Sequence, residues 1–258
     1  MSKRIIAVAN QKGGVGKTTT SINLSSSLAH FNRRVLLIDM DPQGNASRGL
    51  GLDSSILKYT IFDGLFKGVD VNKIIRKTIM KNLDILPSSL ILARMDVEMM
   101  SRQEHPYFML KNLLKDIKKS YDYFIIDCPP SLGMLSINAL VAANKVLIPV
   151  QCEYFALDAV AQVLSTIKQI QGEYNKELGI EGFLLTMFDS RTRLAIEISQ
   201  EIRGLFKEST FLTQIPRNIS VAEASAKGQP VNIFRPTSSG STAYFSLAKE
   251  IMEHEQEG

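Results

Sequence analysis

The sequence predicts an α/β fold, a doubly wound and mostly parallel β-sheet flanked by helices. The first observation behind this prediction is that short apolar runs rich in β-branched residues alternate with segments in which apolar residues recur at helical spacing. The second is that no repeat, low-complexity tract or linker interrupts the alternation. The 258 residues, 45% hydrophobic and 22% charged, suffice for one well-packed core, so we expect a single domain over residues 1–258.

The apolar runs and the helical spacing predict the elements in chain order. The predicted strands are Ile5–Ala9, a run from Val35 that ends in two aspartates and a proline, Leu83–Pro87, Tyr121–Asp127, Lys145–Val150, Gly182–Asp189 and a last strand that ends with Ile215–Asn218. The predicted helices are Ser21–Ala29, a short one over Ile61–Phe66, Leu90–Met100, Ser136–Ala143 and Asp158–Tyr174. The stretch from residue 46 to about 83, including the short helix, is expected to form surface elements around the sheet edge.

A glycine-rich loop joins the first predicted strand to the first helix. Gly13, Gly14 and Gly16 allow the backbone to approach an oxyanion with its N–H groups turned inward, and the following helix adds the positive end of its dipole. Lys17 would place an ammonium on the β- and γ-phosphates of a nucleotide, and the hydroxyl of Thr18 would bind Mg²⁺. The loop therefore predicts a site for a nucleotide with magnesium.

Aspartates close two of the predicted strands. Asp39 and Asp41 end the second strand, and because side chains alternate along a strand we expect both to point the same way. Ligands of open α/β sheets bind beyond the carboxyl ends of the strands, which places both carboxylates beside the phosphates of the first loop. Asp127 closes a later strand in the same manner.

The loop also departs from the ordinary phosphate-loop pattern, which has glycine where this chain has Gln11. Residues 12–18 read Lys-Gly-Gly-Val-Gly-Lys-Thr, with a second lysine, Lys12, at the entrance. In this motif the sequence resembles the deviant Walker A ATPases among the P-loop NTPases, and most closely the ParA/Soj family that segregates chromosomes and plasmids. The resemblance implies Mg²⁺-dependent hydrolysis of ATP to ADP and phosphate. It also implies that Lys12 reaches across a nucleotide-sandwich homodimer to the partner's phosphates, in the role of an arginine finger.

The resemblance implies roles for further residues as well. Lys12, Lys17 and Asp41 would carry catalysis, with Asp41 positioning the attacking water. Asp127 resembles the Walker B residue, and together with Thr18 and Asp39 it would hold magnesium and its waters. The residues implied for nucleotide binding are Lys12, Gly13, Gly14, Val15, Gly16, Lys17, Thr18 and Thr19 in the loop, and Met187, Pro216, Arg217 and Asn218 near the adenine.

Two macromolecular partners are implied in addition to a second copy of the chain. The ATP-bound dimer would bind double-stranded DNA without sequence preference, and a ParB-like centromere-binding protein would stimulate hydrolysis. Phosphate contacts need mobile cations, for which the candidates are Arg191, Arg217 and Lys227. Some relatives carry one more arginine shortly after the Pro-Arg-Asn segment, where this chain has Ser220. The formal net charge of +4 permits contact with nucleic acid, and dimerisation would double a basic face.

We expect a cytoplasmic, nucleoid-associated protein with no membrane partner. No apolar stretch approaches the roughly 18 residues that a spanning helix needs, and the widely separated Cys128 and Cys152 are typical of core residues in a reducing compartment. A membrane-recruited division ATPase resembling MinD is an alternative, but it needs a basic amphipathic C-terminal helix, and residues 246–258 are acidic. A metabolic ligase of the same superfamily would need an added substrate pocket. An iron–sulfur reductase of the nitrogenase type would need paired cysteines at a dimer axis.

Overall fold

The computed structural model describes residues 4–94, 98, 106–131 and 133–254, and its strands lie in one eight-stranded sheet. The strands are β1 (Arg4–Val8), β2 (Val35–Asp39), β3 (Arg76–Lys77), β4 (Leu83–Leu86), β5 (Tyr123–Asp127), β6 (Lys145–Gln151), β7 (Gly179–Phe188) and β8 (Thr210–Pro216). Their order across the sheet is β3-β4-β2-β5-β1-β6-β7-β8. Neighbouring strands are parallel except for β3 and β4, which confirms the predicted fold class.

Helices connect the strands. They are α1 (Lys17–His30), α2 (Asn45–Gly49), α3 (Ile61–Lys67), α4 (Val71–Ile74), α5 (Met109–Lys115), α6 (Met134–Ala142), α7 (Ala156–Glu173), α8 (Arg193–Phe206), α9 (Ile219–Ala226), α10 (Val231–Phe234) and α11 (Ser239–Glu253). Short 3₁₀ turns occupy Ser54–Ile56, Leu90–Arg94, Pro106–Phe108 and Lys207–Ser209. In the described part of the chain, no helix combines the length and the apolar character needed to span a bilayer.

Side chains that alternate along the strands build two apolar cores, one on each face of the sheet. In β1, Ile6 and Val8 belong to one cluster and Ala7 to the other. The cluster of Ile6 includes Leu24 of α1 and Leu247 of α11, whereas the cluster of Ala7 includes buried residues of α6 and α7. Because helices cover both faces, the central strands are continuous apolar runs, and this is the pattern that the sequence showed.

The surface prediction for residues 46 to 83 is wrong in part. Ile61, Phe62 and Ile74 are buried in a core cluster, and β3 adds an antiparallel strand at the edge of the sheet. Elements of two to seven residues are too short for a periodic signal to stand out, so these buried residues could not be recognised from the sequence alone. Of the helix predicted over Leu90–Met100, residues 90–94 form a 3₁₀ turn, and most of the remainder lies outside the described residues.

The carboxyl ends of β2, β5 and β1 lie side by side. Asp39 at the end of β2 is in register with Asp127 at the end of β5, and Asp127 is in register with Val8 at the end of β1. The glycine-rich loop that follows β1 therefore emerges next to both carboxylates. Parallel strands bring their ends to one edge of the sheet, as the sequence predicted.

The lateral edges of the sheet are protected. At one edge β3 has only two residues, both of them basic. At the other edge, the backbone N–H groups of Leu212 and Thr213 in β8 donate to the carboxylate of Glu250 in α11. The hydrogen bond from Thr213 is 3.1 Å long. The guanidinium of Arg203 donates to the carbonyl of Leu212 over 3.2 Å. Short strands and charged side chains of this kind prevent a further strand from pairing with an exposed edge.

Two glycines bring distant segments into backbone contact. Gly51 follows α2 and Gly228 follows α9, and their φ angles are 79° and 65°. A Cβ atom on Gly228 would lie 2.9 Å from the Cα of Gly51 and 3.1 Å from the carbonyl oxygen of Arg48. The two segments can approach this closely only because position 228 has no side chain.

We expect Gly228→Ala to lower the free energy of unfolding by about 2–4 kcal/mol, because a left-handed backbone and a backbone clash both oppose the added methyl group. Gly68→Ala is the matched control, since Gly68 has a φ of 68° and open space where its Cβ would lie. The control should lose only about 1–2 kcal/mol. Urea unfolding measures both variants, and equal losses would show that the contact with Gly51 relaxes without cost.

Candidate functional site

The glycine-rich loop forms an open cradle between β1 and α1. Gly14 and Gly16 have φ angles of 77° and 87°, in the left-handed region where residues with a side chain are strained. A Cβ atom built on Gly13 or Gly14 would meet no other atom within 4 Å, so the space above the loop is free. Glycine is thus required at two positions by the backbone conformation, and the cradle can admit a ligand.

A cavity of about 270 Å³ lies over this cradle. It brings together most of the predicted loop residues with one of the predicted acids. Its lining consists of Gly13, Gly14, Gly16, Lys17, Thr18, Thr19, Asp41, Asn45 and Pro130. The arrangement combines backbone at a helix start, one ammonium, two hydroxyl groups and one carboxylate in a small polar volume, which suits a phosphate chain.

Two buried side chains that the sequence analysis did not single out hold the loop in place. The amide nitrogen of Asn10 donates to the carbonyl of Pro149 over 2.7 Å, and its oxygen accepts from the backbone N–H of Lys12 over 3.0 Å. The hydroxyl of Thr186 in β7 donates to the carbonyl of Val15 over 2.8 Å. Thr186 lies 171 positions away in the chain, so only the sheet order could reveal its role.

Lys17 forms the floor of the cavity. Its Nζ donates to the carbonyl of Lys12 over 3.0 Å, and the residue is 7% exposed. Burial lowers the pKa of the Lys17 ammonium from its usual value, while the charge of Asp127 and, to a lesser degree, that of Asp41 oppose this shift. An anion in the cavity would favour the charged form, and Lys17 is therefore suited to bind phosphate.

Asp127 lies behind the loop and is fully buried. Its Oδ1 accepts from the hydroxyl of Ser21 over 2.9 Å, whereas its Oδ2 has no hydrogen-bond partner among the described residues. Burial raises the pKa of Asp127, and the nearby charge of Asp39 raises it further. A buried carboxylate oxygen without a partner fits a cation and its waters, with Thr18 as the neighbouring ligand on the cavity wall.

In the described ranges, no group of three His, Cys, Asp or Glu side chains could hold a metal ion alone. Magnesium differs from such metals because it commonly binds through one or two carboxylates together with the phosphates of its substrate. The residues around Asp127 therefore fit magnesium that arrives with a nucleotide.

Asp39 and Asp41 have different surroundings. Asp39 is fully buried, and its Oδ2 accepts from the backbone N–H and the hydroxyl of Ser47 over 2.8 and 2.7 Å. Asp41 lines the cavity, and its Oδ1 accepts from the N–H of Gln43 over 2.9 Å. β2 ends at Asp39, so Asp41 belongs to the turn before α2, and the expectation that the two side chains point the same way stays a prediction. The assignment of Asp39 to magnesium stays a prediction.

Lys12 does not line the cavity. Its Nζ forms an ion pair with the Oε2 of Glu153 over 2.9 Å, and the amide of Gln151 donates to the other carboxylate oxygen. The side chains of Lys12 and Glu153 are 28% and 48% exposed. An exposed ion pair of this kind contributes little free energy, so the lysine can exchange its partner at low cost.

The segments predicted to lie near an adenine come together at the ends of β7 and β8. Met187 has a φ of 49°, and the carbonyl of the next residue, Phe188, accepts from the N–H of Arg217 over 3.2 Å. A cavity of about 510 Å³ includes Phe188 and Pro216 in its wall. The amide of Asn218 donates to Ser239 over 2.8 Å, and its Oδ1 is buried with no hydrogen-bond partner in the described part of the chain. An orphaned acceptor can receive an N–H from a ligand.

Comparison with known proteins identifies the family. The family described as an AAA domain matches residues 3–180. The sporulation initiation inhibitor protein Soj of Bacillus subtilis is 47% identical over 251 residues, which cover 96% of this chain and 98% of that protein. The chromosome partitioning protein ParA of Myxococcus xanthus is 44% identical, with 98% of this chain and 89% of that protein covered.

The chain belongs to the ParA/Soj family of chromosome-partitioning ATPases. A solved structure supports the same fold. Cobyrinic acid a,c-diamide synthase of Mycobacterium smegmatis, with a bound ATP analog and magnesium, matches with a TM-score of 0.88 at 34% identity, covering 99% of this chain and 96% of that chain. A protein related to the ParA/Soj chain thus holds a nucleotide and magnesium on this fold.

The cations predicted for DNA are not equivalent in this ParA/Soj chain. Arg191 makes two hydrogen bonds to the carboxylate of Asp189, over 2.9 and 2.7 Å, and holds the pKa of that carboxyl well below its usual range. Arg217 and Lys227 are exposed and form no ion pair with an acidic side chain among the described residues, although the charge of Arg217 also helps to lower the pKa of Asp189. Two of the three predicted cations can therefore meet an anion directly, while Arg191 must first leave Asp189.

We expect Thr186→Val to lower the free energy of unfolding by about 1–3 kcal/mol, because the variant keeps the shape of the side chain but leaves the buried carbonyl of Val15 without its donor. Thr186→Ser keeps the hydroxyl and serves as the matched control, with a smaller loss from the missing methyl group. Urea unfolding of both variants without nucleotide measures the difference. If the two variants are equally stable, the hydrogen bond does not hold the loop.

Proposed function

We propose that the chain is an ATP-dependent DNA-partitioning ATPase, a single domain that forms a dimer around ATP, binds double-stranded DNA without sequence preference, and releases it after hydrolysis. The observation that carries this proposal is the contrast between two lysines at the ends of one glycine loop. Lys17 forms the floor of the phosphate cavity, whereas Lys12 stands outside it in an exposed ion pair. One cation serves the chain's own nucleotide, and the other is available to a partner's nucleotide.

Nucleotide binding is assigned to the cavity over the glycine loop. The backbone N–H groups at the start of α1 and the Lys17 ammonium would hold the phosphates, and Thr18 and Asp127 would hold magnesium. When bound, magnesium neutralises charge that develops on the phosphate oxygens. The base would lie between Met187 and the Pro216–Asn218 segment, where the Oδ1 of Asn218 can accept an N–H.

Hydrolysis is assigned to Asp41. Asp41 lines the cavity, and its carboxylate accepts a hydrogen bond from the N–H of Gln43 over 2.9 Å. A fixed carboxylate accepts hydrogen bonds from an attacking water and orients it, so the rate depends on positioning more than on acid–base strength. A single chain supplies Lys17 alone to the phosphate cavity, and this favours slow hydrolysis until a partner adds a second cation.

Dimerisation is assigned to the face that carries Lys12. On that face a triphosphate from a second chain would replace the carboxylate of Glu153, and its greater negative charge favours the exchange. ATP then acts as a population switch, because only the nucleotide with its γ-phosphate stabilises the dimer strongly. A ParB-like partner would stimulate hydrolysis by completing the contacts to the transition state, and retention on DNA would place the protein at the nucleoid.

The first test measures retention on duplex DNA of arbitrary sequence. We expect wild type to be retained with ATP and not with ADP, because only ATP assembles the dimer. Lys17→Ala should fail to bind ATP and so fail to bind DNA. Asp41→Ala should bind ATP, dimerise and remain on DNA, since it lacks the group that orients water. Equal retention of wild type with ATP and ADP would contradict the proposal.

The second test measures mass in solution with a non-hydrolysable ATP analogue. We expect Lys12→Ala to bind the analogue through Lys17 and yet stay monomeric, whereas Glu153→Gln should dimerise at a lower concentration because Lys12 is released. Lys67→Ala is the matched control, since Lys67 is an exposed lysine with an ion pair of the same 2.9 Å length, to Asp63. A Lys12→Ala variant that dimerises as readily as wild type would exclude the proposed cross-subunit contact.

A metabolic amide ligase is the second candidate, because the M. smegmatis structure carries such a name at 34% identity. The two candidates differ in what stimulates ATP hydrolysis. A ligase consumes ATP when a carboxylic acid and a nitrogen donor are supplied, and duplex DNA has no effect. Stimulation by duplex DNA alone would favour the partitioning ATPase.

A further inference from the structure

The arginines in the C-terminal third of the chain differ in whether they pair with an acidic side chain. Arg191 and Arg193 pair with Asp189 and Glu197, and Arg203 donates to the carbonyl of Leu212. Arg217 and Arg235 are exposed and form no ion pair with an acidic residue in the described part of the chain, although the charge of Arg217 contributes to the lowered pKa of Asp189. An arginine without a carboxylate retains its full charge for an anion from outside.

Arg235 is held in a defined position although it is exposed. Its backbone N–H donates to the carbonyl of Val231 over 2.8 Å, and its carbonyl accepts from the N–H of Ser238 over 3.1 Å. Its guanidinium lies 5.8 Å from the centre of the Phe234 ring. The backbone is thus fixed on both sides, and the side chain rests on an aromatic ring, which reduces the entropy lost when it binds a ligand.

The guanidinium of Arg235 reaches the first turn of α9. Its Nη1 donates to the hydroxyl of Ser220 over 3.3 Å, across 15 positions of sequence. Position 220 is where the resemblance implies a further arginine in some relatives, and this chain has serine there. The structure supplies a guanidinium to the same place from the segment between α10 and α11.

We propose that Arg235 is a phosphate-binding residue for DNA, and that it forms one surface with Arg217 before α9 and Lys227 after α9. The inference rests on the proposed DNA binding and deepens it. Ser220 is a positioning residue in this surface, because its hydroxyl orients the guanidinium. Glu223 is the one acidic side chain within α9, so the cations at its two ends outnumber the acid between them.

The spacing of these cations suits a nucleic acid backbone. The eight residues of α9 extend about 12 Å, and successive phosphates of one DNA strand are about 3.4 Å apart along the duplex axis. Cations at the two ends of α9 are therefore separated by three to four phosphates of one strand.

The test uses the full chain, a non-hydrolysable ATP analogue and fluorescent duplexes of unrelated sequence, with dissociation constants measured over a range of salt. Wild-type binding that requires the ATP analogue is established first, because its absence would refute the proposed function rather than the role of Arg235. We expect Arg235→Ala to bind every duplex roughly tenfold more weakly, and to lower the slope of log K against log salt by about one. Arg235→Lys should keep the slope.

Three further variants test whether a loss of DNA binding comes from the missing charge at position 235 or from a change in structure. Arg193→Ala removes an exposed arginine that is paired with Glu197, and we expect little change in binding or slope. The double variant Arg235→Ala with Ser220→Arg should recover both the affinity and the slope, because it returns a guanidinium to the same place. Arg235→Gln should behave as Arg235→Ala while retaining a donor for Ser220. Dimerisation and DNA-independent ATP hydrolysis should be unchanged in all of them.

Two results would overturn the assignment. The first is an unchanged salt slope in Arg235→Ala when wild type binds DNA. The second is a loss of binding to vesicles of anionic phospholipid without any loss on DNA, which would make the surface a membrane contact instead.

Discussion

Lys17 is buried beside the carboxylates of Asp127 and Asp41, at the point where three neighbouring parallel strands end. Asp39 adds a further carboxylate to the same small volume, and burial raises the pKa of both Asp39 and Asp127. One ammonium does not balance this set of acids, so the site is electrostatically unfavourable when it is considered alone. A ligand that brings both phosphates and a divalent cation suits this site, because the cation would offset the excess negative charge of the carboxylates and the phosphates would pair with Lys17.

The surrounding elements fix these groups before any ligand arrives. Ser21 of α1 holds Asp127, Ser47 of α2 holds Asp39, and Thr186 of β7 holds the carbonyl of Val15. Each of these hydrogen bonds comes from a buried side chain on a regular element, so the site is built on the rigid part of the fold. Groups that are already in place need little reorganisation when charge develops during a reaction.

The sequence alone predicted the features of the fold and the site that depend on local patterns of residues. Buried strands, the glycine loop and the acids at strand ends all leave short-range signals, and the structure brings Lys17, Thr18 and Asp41 to one cavity as predicted. What the sequence did not reveal depends on contacts between distant segments. Thr186 and Arg235 are ordinary residues in their own neighbourhoods, and only the packing gives them partners at Val15 and Ser220.

The different surroundings of Asp39 and Asp41 depend on where β2 ends. Alternation of side chains applies within a strand, and β2 ends at Asp39, two residues before Asp41. Element boundaries are set by a balance of small terms, so a rule that depends on the last residue of a strand is fragile. The surface prediction for residues 46–83 was wrong in part because each short element there buries only one or two apolar side chains. So few residues do not produce a periodic pattern that can be recognised in the sequence.

The carboxylate of Glu250 occupies backbone donors at the outer margin of β8, and the margin at β3 is only two residues long. Copies of this protein therefore lack a ready template for joining strand to strand into a continuous, irreversible assembly. The proposed ATP-dependent dimerisation would use the face of Lys12 instead, where the nucleotide would control both formation and separation of the dimer. Protected sheet margins suit such reversible assembly, because they offer no competing permanent contact.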